Sequence, residues 1–307
     1  MDEVTQHGHE SIKKGSKSFA LASRVLPPVL RDDASMLYAW CRYCDDVIDG
    51  QEMGHGQIEN YKDGQSERLA ILRDKTRKAL SGEAADNPIF KGLARVFKSH
   101  NIPHIHAEEL LKGFEMDAGE RVYKSVSDIL DYSYHVAGVV GVMMAYIMGV
   151  RGEATLDRAS DLGLAFQLTN IARDVVDDAR ADRVFIPQNL LIAAGAPVNA
   201  AELTRKENWS AAHKAALMQL DIAEGYYDSA KVGIKELPFR CAWAISAALL
   251  VYREIGQTLR AKGPMAWERR VSAGGGRKLW LAVSAIGPAL SRASVKDVSR
   301  FGFYERL

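Results

Sequence analysis

The sequence predicts an all-α protein of one domain spanning residues 1–307, and three observations predict it. Almost every stretch places apolar residues at helical spacing, and none shows the strict alternation of a half-buried strand. Chain breakers fall between these stretches, not within them. No linker-like segment and no fixed-period repeat divides the chain. A chain of this length can bury a large core.

The elements follow in order. The first helical stretch, 7–25, stops before Pro27-Pro28, because a proline disfavours helical backbone in the residue before it. The second, 31–49, carries the apolar run Met36 to Cys41 and stops at Gly50, after which breakers extend to Gly64. Helices are expected at 66–80, 88–100 (ended before Pro103), 106–121 and 127–149. The last of these holds the longest apolar run, Val136 to Val150, closed by His135 and Arg151 and interrupted by glycines. It falls short of the roughly 20 residues that span a bilayer, so it reads as a central buried helix. Further helices are expected at 154–180, after Gly152; at 199–231, after Pro187 and Pro197; at 238–262, opening on Pro238; and at 277–292, after Gly274-Gly275-Gly276. The glycine triplet is a turn and not a phosphate loop, since no strand precedes it and no Gly-Lys-Ser/Thr follows.

Composition narrows the functional classes. Hydrophobic residues make up 47% and charged residues 26%, as in ordinary globular proteins. Forty Lys and Arg against 39 Asp and Glu leave a net charge of +1, which gives no footprint for nucleic acid. Three cysteines are too few for a disulfide framework and fit a reducing cytoplasm. Cys41 and Cys44 form a C-x-x-C with no second pair, which reads as helix packing. The acidic segment Met1 to Thr5 lacks the apolar stretch of a signal peptide. The expected location is cytoplasmic, with no transmembrane segment; peripheral membrane association is left open by composition.

Two acidic ledges carry the chemistry. Asp45 and Asp49 lie four residues apart, as do Asn170, Asp174 and Asp178. On a helix that step returns to within about 40° of the same face. Each ledge follows an apolar run, Met36 to Cys41 or Leu162 to Leu168, so each faces buried surroundings, not a solvated surface. Two such ledges repel each other unless divalent cations lie between them. Magnesium, with manganese as an alternative, takes one or two protein carboxylates and completes its shell with water and phosphate oxygens. Arg42 and Arg173 sit beside the ledges, and Ser16 and Lys17 offer further donors to phosphate. Between Tyr132 and Tyr146, small residues and the methionines Met143 and Met144 leave adaptable apolar space. An apolar channel with a charged mouth matches a prenyl diphosphate. His104-x-His106 heads a helix rich in polar groups and His135 reads as a core histidine, so neither is taken as a site.

Longer motifs then carry a resemblance. Ser16 to Ala20, Tyr38 to Asp49, Tyr132 to Gly141, Leu162 to Asp174 and Arg183 to Pro187 resemble the motifs of the squalene/phytoene synthase family, nearest in wording to its bacterial phytoene synthases. The likeness runs from about residue 10 to 262. It implies a single helical isoprenoid-synthase fold around a central cavity. It also implies head-to-head condensation of two geranylgeranyl diphosphates, through prephytoene diphosphate, to phytoene without NADPH, as in carotenoid biosynthesis. By the same resemblance Asp45, Asp49, Asn170, Asp174 and Asp178 are metal ligands, with Asp46 and Asp177 as lesser candidates. Ser16, Lys17, Arg42, Gln167 and Arg173 bind substrate, and the rings of Tyr38, Tyr132 and Tyr252 stabilise cations. Gly15 stands where some relatives carry histidine, and Phe185 where tyrosine is common. The competing readings are squalene or dehydrosqualene synthesis from farnesyl diphosphate, a head-to-tail prenyltransferase or cyclase, and a silent helical assembly factor.

Overall fold

Local capping sets the first helices. Asp2 accepts the Thr5 N–H at 2.9 Å and starts α1 (Glu3–Gly15). The stretch expected as one helix over 7–25 is two, because Ser16 leaves helical geometry (φ −150°, ψ 101°). Its hydroxyl accepts the Phe19 N–H at 3.2 Å and begins α2 (Lys17–Ser23). The computed structural model describes residues 2–51, 56, 63–83, 86–119 and 121–306, with Lys17 and Ser18 as backbone only.

Helix α3 (Pro28–Asp49) has proline in its first turn and ends at Gly50, which takes the left-handed conformation (φ 60°) that closes a helix. Two of its last carbonyls are satisfied from α4 (Gln65–Ser81). Gln65 donates to Ile48 O at 3.1 Å and Arg68 Nε to Val47 O at 2.9 Å. The end of α3, with Asp45 and Asp49, is thereby pinned. Helices α5 (Pro88–His100) and α6 (Ile105–Ala118) follow; α6 ends earlier than the expected 121, at Gly119.

The helix expected over 127–149 contains a π-turn, Tyr134–Gly138, between α7 (Val126–Ser133) and α8 (Val139–Ile147). The wider turn coincides with buried His135, whose Nδ1 meets the Glu109 carbonyl of α6 at 3.0 Å. Helix α9 (Glu153–Arg180) lies directly on this segment. A Cβ on Gly141 would meet Ala159 O, and one on Gly163 would meet Ala137 O, each at 2.3 Å. Only glycine permits that backbone contact.

Beyond α9 the expected helix 199–231 is split into α11 (Ala200–Leu203) and α12 (Trp209–Gly233), and a short α10 (Gln188–Ala193) precedes both. Asn208 donates to Glu202 O at 2.9 Å, an alternative to the helical ladder at the break. Alanines 212, 215, 216 and 223 of α12 are buried in the same core as Leu164, Leu168 and Ala172 of α9. After α13 (Phe239–Lys262), the expected helix 277–292 divides into α14 (Gly275–Ser284) and α15 (Ile286–Leu290). Pro288 explains this division, since it lacks an N–H and its ring crowds the carbonyl of residue 284.

The segment after α15 doubles back over α9 and α12. Arg300 binds Asp161 through Nε at 2.8 Å and Nη2 at 2.9 Å, and Asp161 is only 1% exposed. Arg158 donates to Val298 O at 2.8 Å, and the Tyr304 hydroxyl to Asp131 at 3.1 Å. Among the described residues there is no strand, and no helix is long and apolar enough to cross a membrane.

Candidate active site

The two ledges meet across one polar chamber. Asp45 and Asp49 of α3 line it together with Asn170, Asp174 and Asp178 of α9, so the spacing read from sequence is realised in space. Arg42, Arg173, Gln167, Tyr38 and Tyr132 line the same chamber. An apolar cavity continues inward, walled by residues such as Phe19, Ala22, Met144, Phe166 and Tyr252. Tyr38, Cys41, Val136, Gln167 and Asn170 line both spaces and form the junction.

Three charged lining residues escaped sequence reasoning: Asp117, Arg183 and Arg270. Arg183 owes its position to the end of α9. Asp182 adopts φ 57°, Arg183 N–H bonds Asp178 O at 2.9 Å, and Asp182 N–H bonds Ala179 O at 3.1 Å. This left-handed closure returns the chain, and Arg183 reaches Asp49 across the chamber at 3.4 Å. The motif Arg183 to Pro187 was the available signal. Asp117 has no acid or amide four residues away on either side, and Arg270 lies in a non-helical stretch, so neither belonged to a periodic pattern.

Cations and acids interlock. Arg42 meets Asp45 at 2.5 Å. Arg173 contacts Asp174 at 2.5 Å, while Arg270 grips it with two bonds of 3.0 and 2.8 Å. Loss of water pulls the Asp174 carboxyl upward, but the bonds from Arg173 and Arg270 outweigh this and hold it below the ordinary carboxylate range. Elsewhere loss of water wins. It pushes Asp45 to about 6, against the pull of Arg42, and Asp178 to about 7, helped by Asp174. Asp117 also rises to about 7 through desolvation, with Arg183 opposing.

The donor set fits a hard divalent cation shared with a substrate. Asn170 Oδ1 is a buried acceptor with no hydrogen-bond partner, placed between carboxylates. Among the described residues no three acid, histidine or cysteine side chains converge on one ion position. A divalent cation held here by one or two of these side chains would complete its shell with water and phosphate oxygens.

The remaining sequence candidates are placed as follows. Tyr132 donates to Asp117 at 3.2 Å and stacks on Phe185 at 5.3 Å, so the Phe185 ring packs without a hydroxyl. Tyr252 stacks on Phe166 at 4.1 Å in the apolar wall. A Cβ on Gly15 would meet the Tyr38 hydroxyl at 2.3 Å, so the tyrosine fills the space a side chain there would need. Ser16 is engaged in capping α2, and the side chain of Lys17 lies outside the described residues. Asp46 is buried, and Asp177 is exposed and paired with Arg180 at 2.9 Å; neither lines the chamber. His106 packs on Tyr146 at 5.6 Å, and burial lowers it to about 4, in keeping with a core role. Cys41, Cys44 and Cys241 are free, and burial pushes Cys41 to about 12.

The raised acids have a consequence for stability. Folding holds protons on Asp45, Asp117 and Asp178 that the unfolded chain releases near 3.8. Their contribution to stability is therefore greatest below that value and is lost as pH rises through about 7. The melting midpoint of metal-free protein is expected to fall between about pH 5 and pH 7.5, with a shallower fall in Asp178→Asn. Added divalent cation, which favours the ionised acids, should raise it more at the higher pH. Equal slopes in wild type and variant would show that Asp178 is not desolvated as described.

Comparison with known proteins agrees with this geometry. The squalene/phytoene synthase family profile matches residues 12–277. The chain is 47% identical to the 15-cis-phytoene synthase of Paracoccus sp. (strain N81106 / MBIC 01143), covering 100% of this chain and 99% of that one. It is 46% identical to the 15-cis-phytoene synthase of Pantoea ananas, over 94% and 93% of the two chains. Among solved structures, a dehydrosqualene synthase in complex with ligand superposes with TM-score 0.84 at 25% identity, covering 94% of this chain and 97% of that one.

Proposed function

The chain belongs to the squalene/phytoene synthase family, and from that premise we propose that it condenses two geranylgeranyl diphosphates head to head, through prephytoene diphosphate, to phytoene. The observation that carries this reading is the junction. A chamber lined by both ledges opens, past Tyr38, Gln167 and Asn170, into an apolar cavity. The diphosphate belongs in the first space and the prenyl chain in the second. Relatives at 44–47% identity are phytoene synthases, whereas the dehydrosqualene synthase is 25% identical, which favours the forty-carbon product over the farnesyl-derived one.

In this reading the whole chain, 1–307, works as one domain in the cytoplasm. Asp45, Asp49, Asn170, Asp174 and Asp178 would hold magnesium, with manganese as a substitute. When bound, the cation neutralises charge developing on the departing diphosphate. Arg42, Arg173, Arg183 and Arg270 donate to diphosphate oxygens by exchanging their present carboxylate partners for phosphate. Lys17 and Ser16, at the start of α2, assist there. Tyr38 and Tyr132 line the chamber and Tyr38 and Tyr252 the cavity, and in this reading their rings stabilise the allylic cation as it forms. Gln167 orients substrate at the junction, and the apolar walls keep water from quenching the cation.

A product assay tests the proposal. Purified protein with magnesium and geranylgeranyl diphosphate, without NADPH, should release a forty-carbon hydrocarbon. Chelation with EDTA should abolish release, and magnesium or manganese should restore it. A thirty-carbon product from farnesyl diphosphate alone would overturn the substrate assignment, and full turnover under chelation would overturn the metal ledges.

A further inference from the structure

One side chain is out of character with the apolar cavity. Among the described residues that line it, Arg158 alone carries a charge. A charge beside hydrocarbon is costly unless it is hydrogen-bonded, so this guanidinium needs partners behind the wall. It has them. Arg158 Nη1 donates to Ser229 Oγ at 3.0 Å and to Ser229 O at 3.3 Å, and Nη2 donates to Val298 O at 2.8 Å. The Ser229 hydroxyl in turn donates to Asp161, which Arg300 grips with two bonds. Arg158 is thus fastened to the C-terminal segment twice, directly through Val298 and indirectly through Arg300.

Arg158 also stands at the end of the cavity away from the chamber. Helix α9 runs along both spaces: Asp174 lines the chamber, Asn170 the junction, and Gly163, Arg158 and Thr155 the cavity in turn. From Asn170 back to Thr155 is about four turns, roughly 22 Å. A diphosphate held at the ledges therefore points its chain toward Arg158. The facing wall at this end comes from the last turn of α12. A Cβ on Gly233 would meet Arg158 Cβ at 2.8 Å, so glycine lets the two helices close there, and Ile234 and Leu237 complete the floor. The C-terminal segment straps the same corner from outside. Residues Arg292–Ser294 pack on Ile234–Glu236, and Lys235 binds Asp297 at 2.8 Å.

We infer that Arg158, locked by the C-terminal segment, is the stop that sets the longest prenyl chain the cavity accepts. A free arginine on a helix near solvent would extend its head toward water and yield its place to an incoming chain. Fastened to Ser229 and Val298, it has already given up that freedom and keeps its bulk across the end of the cavity. The C-terminal segment thereby acts on substrate choice without touching substrate. The inference rests on the proposed function for the identity of the chain, but the stop itself is readable from binding, without turnover.

Thermal-shift titration of the full chain, with magnesium and n-alkyl diphosphates of twelve to twenty-four carbons, locates the stop. Affinity should rise about fourfold per methylene while the chain enters apolar space, and level off where it meets Arg158. In Arg158→Ala the levelling should come at a longer chain, and affinity for the twenty-five-carbon geranylfarnesyl diphosphate should rise about tenfold over wild type. Arg158→Lys can still donate to Val298 and Ser229 and should restore the wild-type limit. Thr155→Phe fills the same end from the first turn of α9, where folding is not at risk. It should lower affinity for geranylgeranyl relative to farnesyl diphosphate by about tenfold. A limit unmoved in both Arg158→Ala and Thr155→Phe would overturn the inference and leave the proposed function standing. So would a limit in Arg158→Lys equal to that in Arg158→Ala. Binding at no chain length would overturn the proposed function and the stop together, whereas a shifted limit without hydrocarbon synthesis would refute the proposed function alone.

Discussion

Asp178→Asn is expected to lower turnover by about a thousandfold, the scale at which loss of one preorganised charge-stabilising group acts. The same substitution should leave the melting midpoint unchanged or raise it slightly. Both halves follow from one fact: desolvation already pushes this carboxyl to about 7, so its ionised form is costly to the fold. The amide keeps shape and hydrogen bonding but cannot offer the charge that a cation and its diphosphate require. Asp177→Asn supplies the control one residue away, because Asp177 is exposed and paired with Arg180, and it should change turnover by less than about twofold. Steady-state kinetics with geranylgeranyl diphosphate, beside thermal melts without metal, would check both variants. Near-normal turnover in Asp178→Asn would remove the α9 ledge from the mechanism.

Arg300→Ala should produce the largest loss of stability in the molecule outside its apolar core. Asp161 is 1% exposed, and its charge is met by both arms of Arg300 and by the Ser229 hydroxyl. Removing the arginine strands a buried carboxylate, a change that costs about 3–5 kcal/mol. The companion double variant Asp161→Leu, Arg300→Leu removes both charges and should recover most of that loss, because replacing a buried pair whole is far cheaper than breaking it. Urea unfolding of the two variants beside wild type gives the comparison. A loss below about 1 kcal/mol in Arg300→Ala would mean that water reaches Asp161 when the tail lifts.

The ledges were legible because they are local: a step of four residues on one helix places Asp45 with Asp49, and Asn170 with Asp174 and Asp178, whatever the rest of the chain does. Helix ends set by glycine or proline were legible for the same reason, as at Gly50 and Pro238. What escaped depended on partners distant in sequence or on competition within a turn. Ser16 breaks a periodic stretch by capping its own chain. The π-turn at Tyr134–Gly138 leaves the apolar pattern intact and only widens its spacing. Arg183 required a left-handed Asp182 to turn it inward, and Arg270 and Asp117 reach the chamber from elements with no repeating pattern of acids or amides. The exposed Trp280 of α14 lay in a helix expected from periodicity, but periodicity alone does not say which apolar residues stay outside.

The glycine contacts of α9 with the π-turn and α8 limit how such an enzyme can be re-engineered. At Gly141 and Gly163 the two backbones already touch, so even a methyl group would have to pry one helix from the other. At those two positions the packing behaves as an anvil: it cannot be shaved deeper, because glycine has no side chain to trim, nor padded without prying the backbones apart. Libraries seeking longer or shorter substrates should therefore leave both glycines untouched and vary α2 and α13, where Phe19, Ser23, Ile245 and Ala248 line the cavity.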